Sequence, residues 1–319
     1  MDYRLKKEIG KIEKLKKKKT FQCLHPDCTS LSIGSHSQQH GGQLKIISQN
    51  DEVYCANFNM YDALTKGNSA SSLIKTKIKN ASIYPGFCQT HDGQMFSSIE
   101  KKPLMQGDNL QASTFFLRTL TYEITRKKLI YFATQNIIEK CNKLMSSEFI
   151  RHLKMINLGR EKFITHDLPF YLENAYKAYE HPNENILQTK WIVIPKTIKA
   201  SSCTVFSPMR DFQKRIEHQA ITSPQIMSSF NLVPAENETH VIVSWLTNHS
   251  RENQWIESAM ETELECFINY IAICESEDVC IGPELWDSVD VFSRERVSQA
   301  MQHEIYRGAL SEIPRVIKI

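Results

Sequence analysis

Between residues 109 and 145 the chain has no glycine or proline, and its apolar positions recur at intervals of three and four. The run NLQASTFFLRTLTYEITRKKLIYFATQNIIEKCNKLM therefore predicts one long helix. The same interval recurs in LPFYLENAYKAYE, at about 168–180, with Pro169 near the first turn, where its missing N–H is tolerated. At the start, Leu5, Ile9, Ile12 and Leu15 line one face of a helix over residues 1–19. Other segments change period. KWIVIPK, SCTVFS, FNLVP and THVIVSWL are rich in β-branched and aromatic residues and are separated by turn formers. They predict a small antiparallel sheet over about 190–247, in which Trp191 and Trp245 anchor the core. QWIESAMETELECFINYIAICES then predicts a helix, and GPELWDSVDVFSRERVSQAMQHEIY one or two more.

Residues 20–102 keep neither period for long. LKIISQNDEVYCA reads as two short strands about an Asn50-Asp51 turn, SLIKTKIKNASIY as another strand pair or ribbon, and KGNSASS as an exposed loop. The expected fold class is α+β in three blocks: a basic amphipathic helix (1–19), a compact irregular module (20–102), and a larger, mostly helical domain with a small sheet (109–319). A length of 319 residues suits two cores. Glycine, 11 residues, is well below the usual share of about 7% and favours helices over tight hairpins. The longest apolar runs are about half the ~20 residues a bilayer requires, and the first residues lack an apolar leader region. The expectation is a cytoplasmic protein without a membrane partner.

Charge adds a first candidate surface. Residues 1–19 hold nine Lys/Arg against three Asp/Glu in a chain whose net charge is +3, and end in Lys16, Lys17, Lys18 and Lys19. Two readings stand side by side. The helix packs its apolar stripe on the body and leaves a solvated basic face, or its lysines contact nucleic-acid phosphates and gain affinity by releasing counterions.

Cysteine adds the chemistry. In a reducing compartment nine cysteines imply no disulfide framework; clustered thiols suggest metal, scattered ones core. Cys141, Cys203, Cys266, Cys274 and Cys280 lie in apolar contexts and read as core. Cys23 and Cys28 form a C-x4-C knuckle. Cys88 and His91 form C-x2-H just before a short helical run. Zinc takes four soft or borderline ligands in a tetrahedron, commonly as two close pairs, and a helix N-terminus favours thiolate. Cys23, Cys28, Cys88 and His91 are therefore candidate ligands of a structural Zn²⁺ in a treble-clef arrangement, with His25 as a competing ligand. There is no Walker A, dinucleotide GxGxxG or GxSxG motif.

Between the pairs lies IGSHSQQHGG, with Ser35-His36 placed as if at the end of a short strand. Over about 80 residues this arrangement resembles the HNH (ββα-metal) nucleases, which are built on a zinc-bound treble clef. The resemblance implies a hydrolase acting on DNA or RNA. His36 would be the general base, and Asp92, directly after the last zinc ligand, would help hold a catalytic Mg²⁺ or Mn²⁺. The chain departs from that pattern in its C-x4-C knuckle, in His91 where cysteine is usual, in Asp92 where histidine is usual, and in lacking a clear middle asparagine. SLSIGSHSQQ and ASIYPGFCQTHDGQMFSSIE also resemble segments of uncharacterised bacterial proteins from mobile or defence loci, which implies a role in antiviral defence. The competing expectation is a non-catalytic, zinc-stabilised module that binds nucleic acid or a partner protein, the partner docking through the C-terminal domain. In that reading His36 hydrogen-bonds within the knuckle and Asp92 caps a helix.

Overall fold

The computed structural model describes residues 3–58, 71–207, 224–302 and 314–319. Tyr3–Lys18 forms α1, and its apolar stripe finds a partner inside the chain. Leu5, Ile9 and Ile12 are buried against Ala133, Ile137 and Cys141, whereas Leu15, the fourth residue of the stripe, is 45% exposed. The packing half of the first reading of this helix is thus observed. A two-residue strand, β1 (Ser35–His36), follows, and then an excursion containing β2 (Glu52–Phe58) and β3 (Ser71–Lys77). The chain returns through β4 (Ile83–Tyr84), antiparallel to β1, into a short helix, α2 (Gln89–Met95).

The helix expected over 109–145 is α3 (Asn109–Cys141), started by the Asp108 side chain accepting from the Gln111 N–H. All residues from Gln111 to Thr125 are buried, so this half is enclosed on every side. Its hydroxyls are satisfied within the helix or on neighbours: Thr114, Thr119 and Thr125 donate to carbonyls four residues back. Then come α4 (Ser147–Lys162) and α5 (Leu168–Glu180). The strands β5 (Leu187–Ile194), β6 (Ala200–Phe206), β7 (Ser228–Pro234) and β8 (Thr239–Leu246) are followed by α6 (Ser250–Thr262), α7 (Leu264–Asn269), β9 (Val279–Ile281) and α8 (Val291–Gln302).

The sheet is larger than the small one expected over 190–247. Among the described residues it has seven antiparallel strands in the order β3-β2-β9-β6-β7-β8-β5. The addition turns on β9, three residues that pair with β2 on one side and β6 on the other and so draw the 52–77 hairpin into the body. Strand alternation divides the core. Val241, Val243 and Trp245 point towards α6, α7 and α8, while Ile242 and Leu246 point towards α3 and α5. The mixed α+β class is observed; Trp191 and Trp245 are both buried, on opposite faces.

Two local expectations need correction. Residues 44–47 are helical rather than a strand, because Leu44 and Ile47, three apart, are both buried against Val53 and Ile78. Asn50 and Asp51 do make the turn, both at positive φ (53° and 57°). The helix expected over QWIESAMETELECFINYIAICES is broken at Glu263 (φ −139°) into α6 and α7. Most of KGNSASS and the end of the last helical run lie outside the described residues. Among those described, no helix is long and apolar enough to cross a membrane.

The base of the excursion is fixed to the body. Ser37 Oγ donates to the Asp278 carboxylate, and Gln38 Nε2 donates to the Asp278 backbone oxygen at 2.8 Å. Asp278 is fully enclosed, and burial pushes its carboxyl up to about 6, against the pull of the Ser37 and Gln38 bonds. Beyond it, Gly282 donates its N–H to the Lys199 carbonyl at 2.8 Å, and a Cβ at 282 would run into the Ile47 backbone oxygen. Gly282→Ala is therefore expected to destabilise the fold by about 1–3 kcal/mol through overpacking, read as a lower urea midpoint with unchanged m-value.

Candidate metal centre

The knuckle is shaped by its backbone. Asp27 turns the chain at positive φ (61°), Cys23 N–H donates to Ser30 O (2.8 Å) and Cys28 N–H to His25 O (3.2 Å). These bonds put both thiols on the inside of one loop. The second pair arrives alongside, because Leu24 N–H donates to Gly86 O (3.0 Å) and Ile33 N–H to Phe87 O (2.8 Å) before β1 meets β4. Cys88 stands in extended conformation just ahead of α2, and His91 lies in that helix's first turn.

The four ligand atoms lie within 4.8 Å of one another. His91 Nδ1 is 3.4 Å from both Cys23 Sγ and Cys88 Sγ, and Cys28 Sγ is 4.0 Å from Cys88 Sγ. A tetrahedral ion at about 2.3 Å from sulfur and about 2.0 Å from nitrogen would space its ligands by roughly 3.5–3.8 Å. The donor set and its spacing can hold a metal ion and are consistent with zinc. The Cys88 and Cys23 thiols differ in their electrostatics. The His91 backbone N–H, at the start of α2, holds the Cys88 thiol below its ordinary value, and the Cys88 N–H donates to Cys23 Sγ (3.3 Å). Burial, the larger effect on Cys23, pushes that thiol up to about 11. Burial also lowers His91, which favours the neutral ring that a metal needs.

His25 is outside the quartet. Its ring lies flat on His91 (centroids 3.8 Å apart, 8° between planes) and edge-on to Tyr176 of α5, whose hydroxyl donates to Leu24 O at 2.9 Å. It braces the ligand rather than replacing it.

His36 closes β1. Its half-buried ring contacts the Ala81 carbonyl through Nδ1 at 2.9 Å, an arrangement that fixes N–H on Nδ1 and leaves Nε2 as the acceptor. Burial is the first cause of a lowered pKa, so the ring is neutral at pH 7; the nearby charges of His40 and Arg118 act in the same direction. Asp92, in the first turn of α2, is half-buried, and its Oδ1 has no hydrogen-bond partner. Burial raises its pKa, opposed by the Ser35 hydroxyl, Arg118 and His36. The helix-capping role expected as an alternative for Asp92 is not observed: Cys88 occupies the N-cap position, and no side chain caps this helix.

Two neighbours, His40 and Arg118, escaped the sequence reading. His40 stands with its ring 5.3 Å from that of His36. Arg118, 2% exposed on α3, ion-pairs with Glu100 and stacks on Phe96 at 4.2 Å. The available signal was an arginine in the otherwise unbroken buried run FFLRTLT. Of the candidate phosphate contacts, Lys16 pairs with Glu13 (3.1 Å), Lys17 and Lys18 are exposed, and Lys19 lies over the rings of Phe21 (5.9 Å) and Phe132 (5.3 Å).

Elemental analysis of the purified chain is expected to give about one metal ion per molecule. Cys28→Ser and Cys88→Ser each lower that towards zero; His25→Gln, and Cys203→Ser in the core, leave it unchanged. No protein-family model matches the chain, and no curated protein and no solved structure is significantly similar to it.

Proposed function

We propose that the protein is a zinc-stabilised, HNH-like endonuclease, dependent on a divalent metal and acting on nucleic acid. Cys23, Cys28, Cys88 and His91 would hold a structural zinc ion within a treble-clef unit made by the knuckle, β1, β4 and α2. The observation that carries the reading is the position of His36 on β1, paired with β4, and of Asp92 next to His91 in the first turn of α2.

His36 suits a general base. It is neutral at pH 7, its Nδ1–H is engaged by Ala81, and Nε2 is left to take a proton from an attacking water. Asp92 offers a carboxylate oxygen without a hydrogen-bond partner, the ligand type that Mg²⁺ and Mn²⁺ prefer. Such an ion, when bound, supplies positive charge against the phosphate oxygens. Arg118 keeps a guanidinium beside this pair and favours the ionised form of Asp92 against its burial.

The raised pKa of half-buried Asp92 favours a second reading, a non-catalytic zinc-stabilised binding module. A cleavage assay with Mg²⁺ or Mn²⁺ on duplex DNA and on RNA separates the two. Under the nuclease reading His36→Ala lowers cleavage by about 10²–10⁴-fold with zinc content intact. Because burial lowers His36 from 6.5, the rate should fall on acidification only below that pH, as the ring protonates. Equal cutting by His36→Ala, or no cutting with either metal, leaves the binding module standing.

A further inference from the structure

The chain's small net charge conceals a separation that the fold makes physical. Residues 3–19 and 126–162 hold 18 of the 39 Lys/Arg and 5 of the 36 Asp/Glu, a net charge of +13, which leaves −10 on the rest of the chain. These two stretches are α1, the outer half of α3, and α4, and they share one small core. Leu5, Ile9 and Ile12 of α1 meet Ala133, Ile137 and Cys141 of α3, with Leu153 of α4 packed against them. The cations that remain at the surface include Lys6, Lys7, Lys14, Lys17 and Lys18 of α1, and Arg151, Lys154 and Lys162 of α4.

The lobe joins the candidate metal centre at a single ring. Lys19 of the lysine run and Lys128 of α3 lie over Phe21, at 5.9 and 6.0 Å, and Phe21 is two residues before Cys23. Among the described residues neither lysine is paired with a carboxylate. Phe21 O in turn accepts from Ser32 N–H, and the extended chain from Ser32 to His36 covers only about 13 Å. Positive charge therefore extends from the outer helices to the start of the Cys23–Cys28 knuckle.

We infer that this three-helix lobe is a docking surface for the phosphate backbone of duplex nucleic acid, with α4 a part of it equal to the lysine run of α1. Charge complementarity and length select the occupant. Helices of 16 residues, α1 and α4, each extend about 24 Å, along which a duplex presents about 14 phosphates. A bilayer surface fits less well, since α1 turns its apolar stripe inward and the outward apolar side chains of α4 are chiefly Met155 and Leu158. The inference rests on the nucleic-acid reading above but not on cleavage.

The test is fluorescence anisotropy with a labelled 30-base-pair DNA, using the zinc-loaded full chain carrying His36→Ala, without Mg²⁺ or Mn²⁺, from 50 to 300 mM salt. Binding should weaken with a log–log slope of about −5 or steeper. Lys17→Gln with Lys18→Gln, and separately Arg151→Gln, Lys154→Gln and Lys162→Gln together, should each reduce the slope by about one per residue and weaken binding at least tenfold at 100 mM salt. Lys196→Gln, on the β5–β6 turn, should change neither. Absence of binding overturns the proposal, as does an α4 triple variant of unchanged melting temperature and unchanged slope, or capture by phosphatidylserine vesicles but not by the duplex. A wild-type chain that binds in this way but never cuts overturns only the nuclease reading.

Discussion

The convergence of two ligand pairs, 59 residues apart in sequence, is the constraint on which the front of this molecule depends. Closing a flexible loop of that length costs about 4 kcal/mol in chain entropy beyond a constant. Backbone bonds from Leu24 to Gly86 and from Ile33 to Phe87, followed by the β1–β4 pair, meet part of that cost. They bring three sulfurs and an imidazole nitrogen within 4.8 Å of one another. An ion bound there would offset the rest: structural zinc in small fingers contributes about 10–16 kcal/mol, several times the closure cost. Asp92 directly follows His91 of this cluster, and His36 lies on β1, paired with the β4 strand that leads to Cys88.

The intervening residues are not a loose loop. β2 and β3 enter the main sheet through β9, and Ser37 and Gln38 are held by Asp278, about 240 positions away in sequence. The residue after the candidate base is therefore tied to the body by a buried carboxylate. From the other side α3 sends in Arg118, and Thr121 meets the hydroxyl of Tyr84 on β4 at 3.2 Å. The environment of Asp92 is thus a balance between burial, which favours the protonated acid, and Arg118 with Ser35, which favour the carboxylate. A divalent ion there would tip that balance decisively, because an adjacent cation lowers the pKa of any carboxylate it contacts.

Much of this was legible in the sequence, for identifiable reasons. The long α3 declared itself because its 33 residues carry no glycine or proline and keep a helical apolar spacing. The candidate ligand pairs stood out because C-x4-C and C-x2-H spacings are a common way to present a metal with two close pairs of donors. The seven-stranded sheet did not, since β9 has three residues and its role lies in its two partners rather than in its own pattern. Residues 44–47 misled because Leu44, Ile46 and Ile47 have strand-like composition, while burial of Leu44 with Ile47 requires a helical spacing. Arg118 was hidden by distance along the chain; only its presence in an apolar run hinted that a buried partner waited for it.

Charge shows the same limit most clearly. The lysine run of α1 is conspicuous because its cations are consecutive, whereas Arg151, Lys154 and Lys162 of α4 are dispersed and look like an ordinary solvated helix. Only packing around Ile9, Ile137 and Leu153 gathers the two sets onto one lobe. Such clustering is costly to stability, because like charges on neighbouring helices repel and only some are neutralised internally, as in Lys11–Glu8 and Lys16–Glu13. A chain with 36 acidic residues had ample means to intersperse them here and instead carries most of them elsewhere. If the lobe docks a polyanion as proposed above, the segregation would serve as an electrostatic guide that raises the rate of encounter.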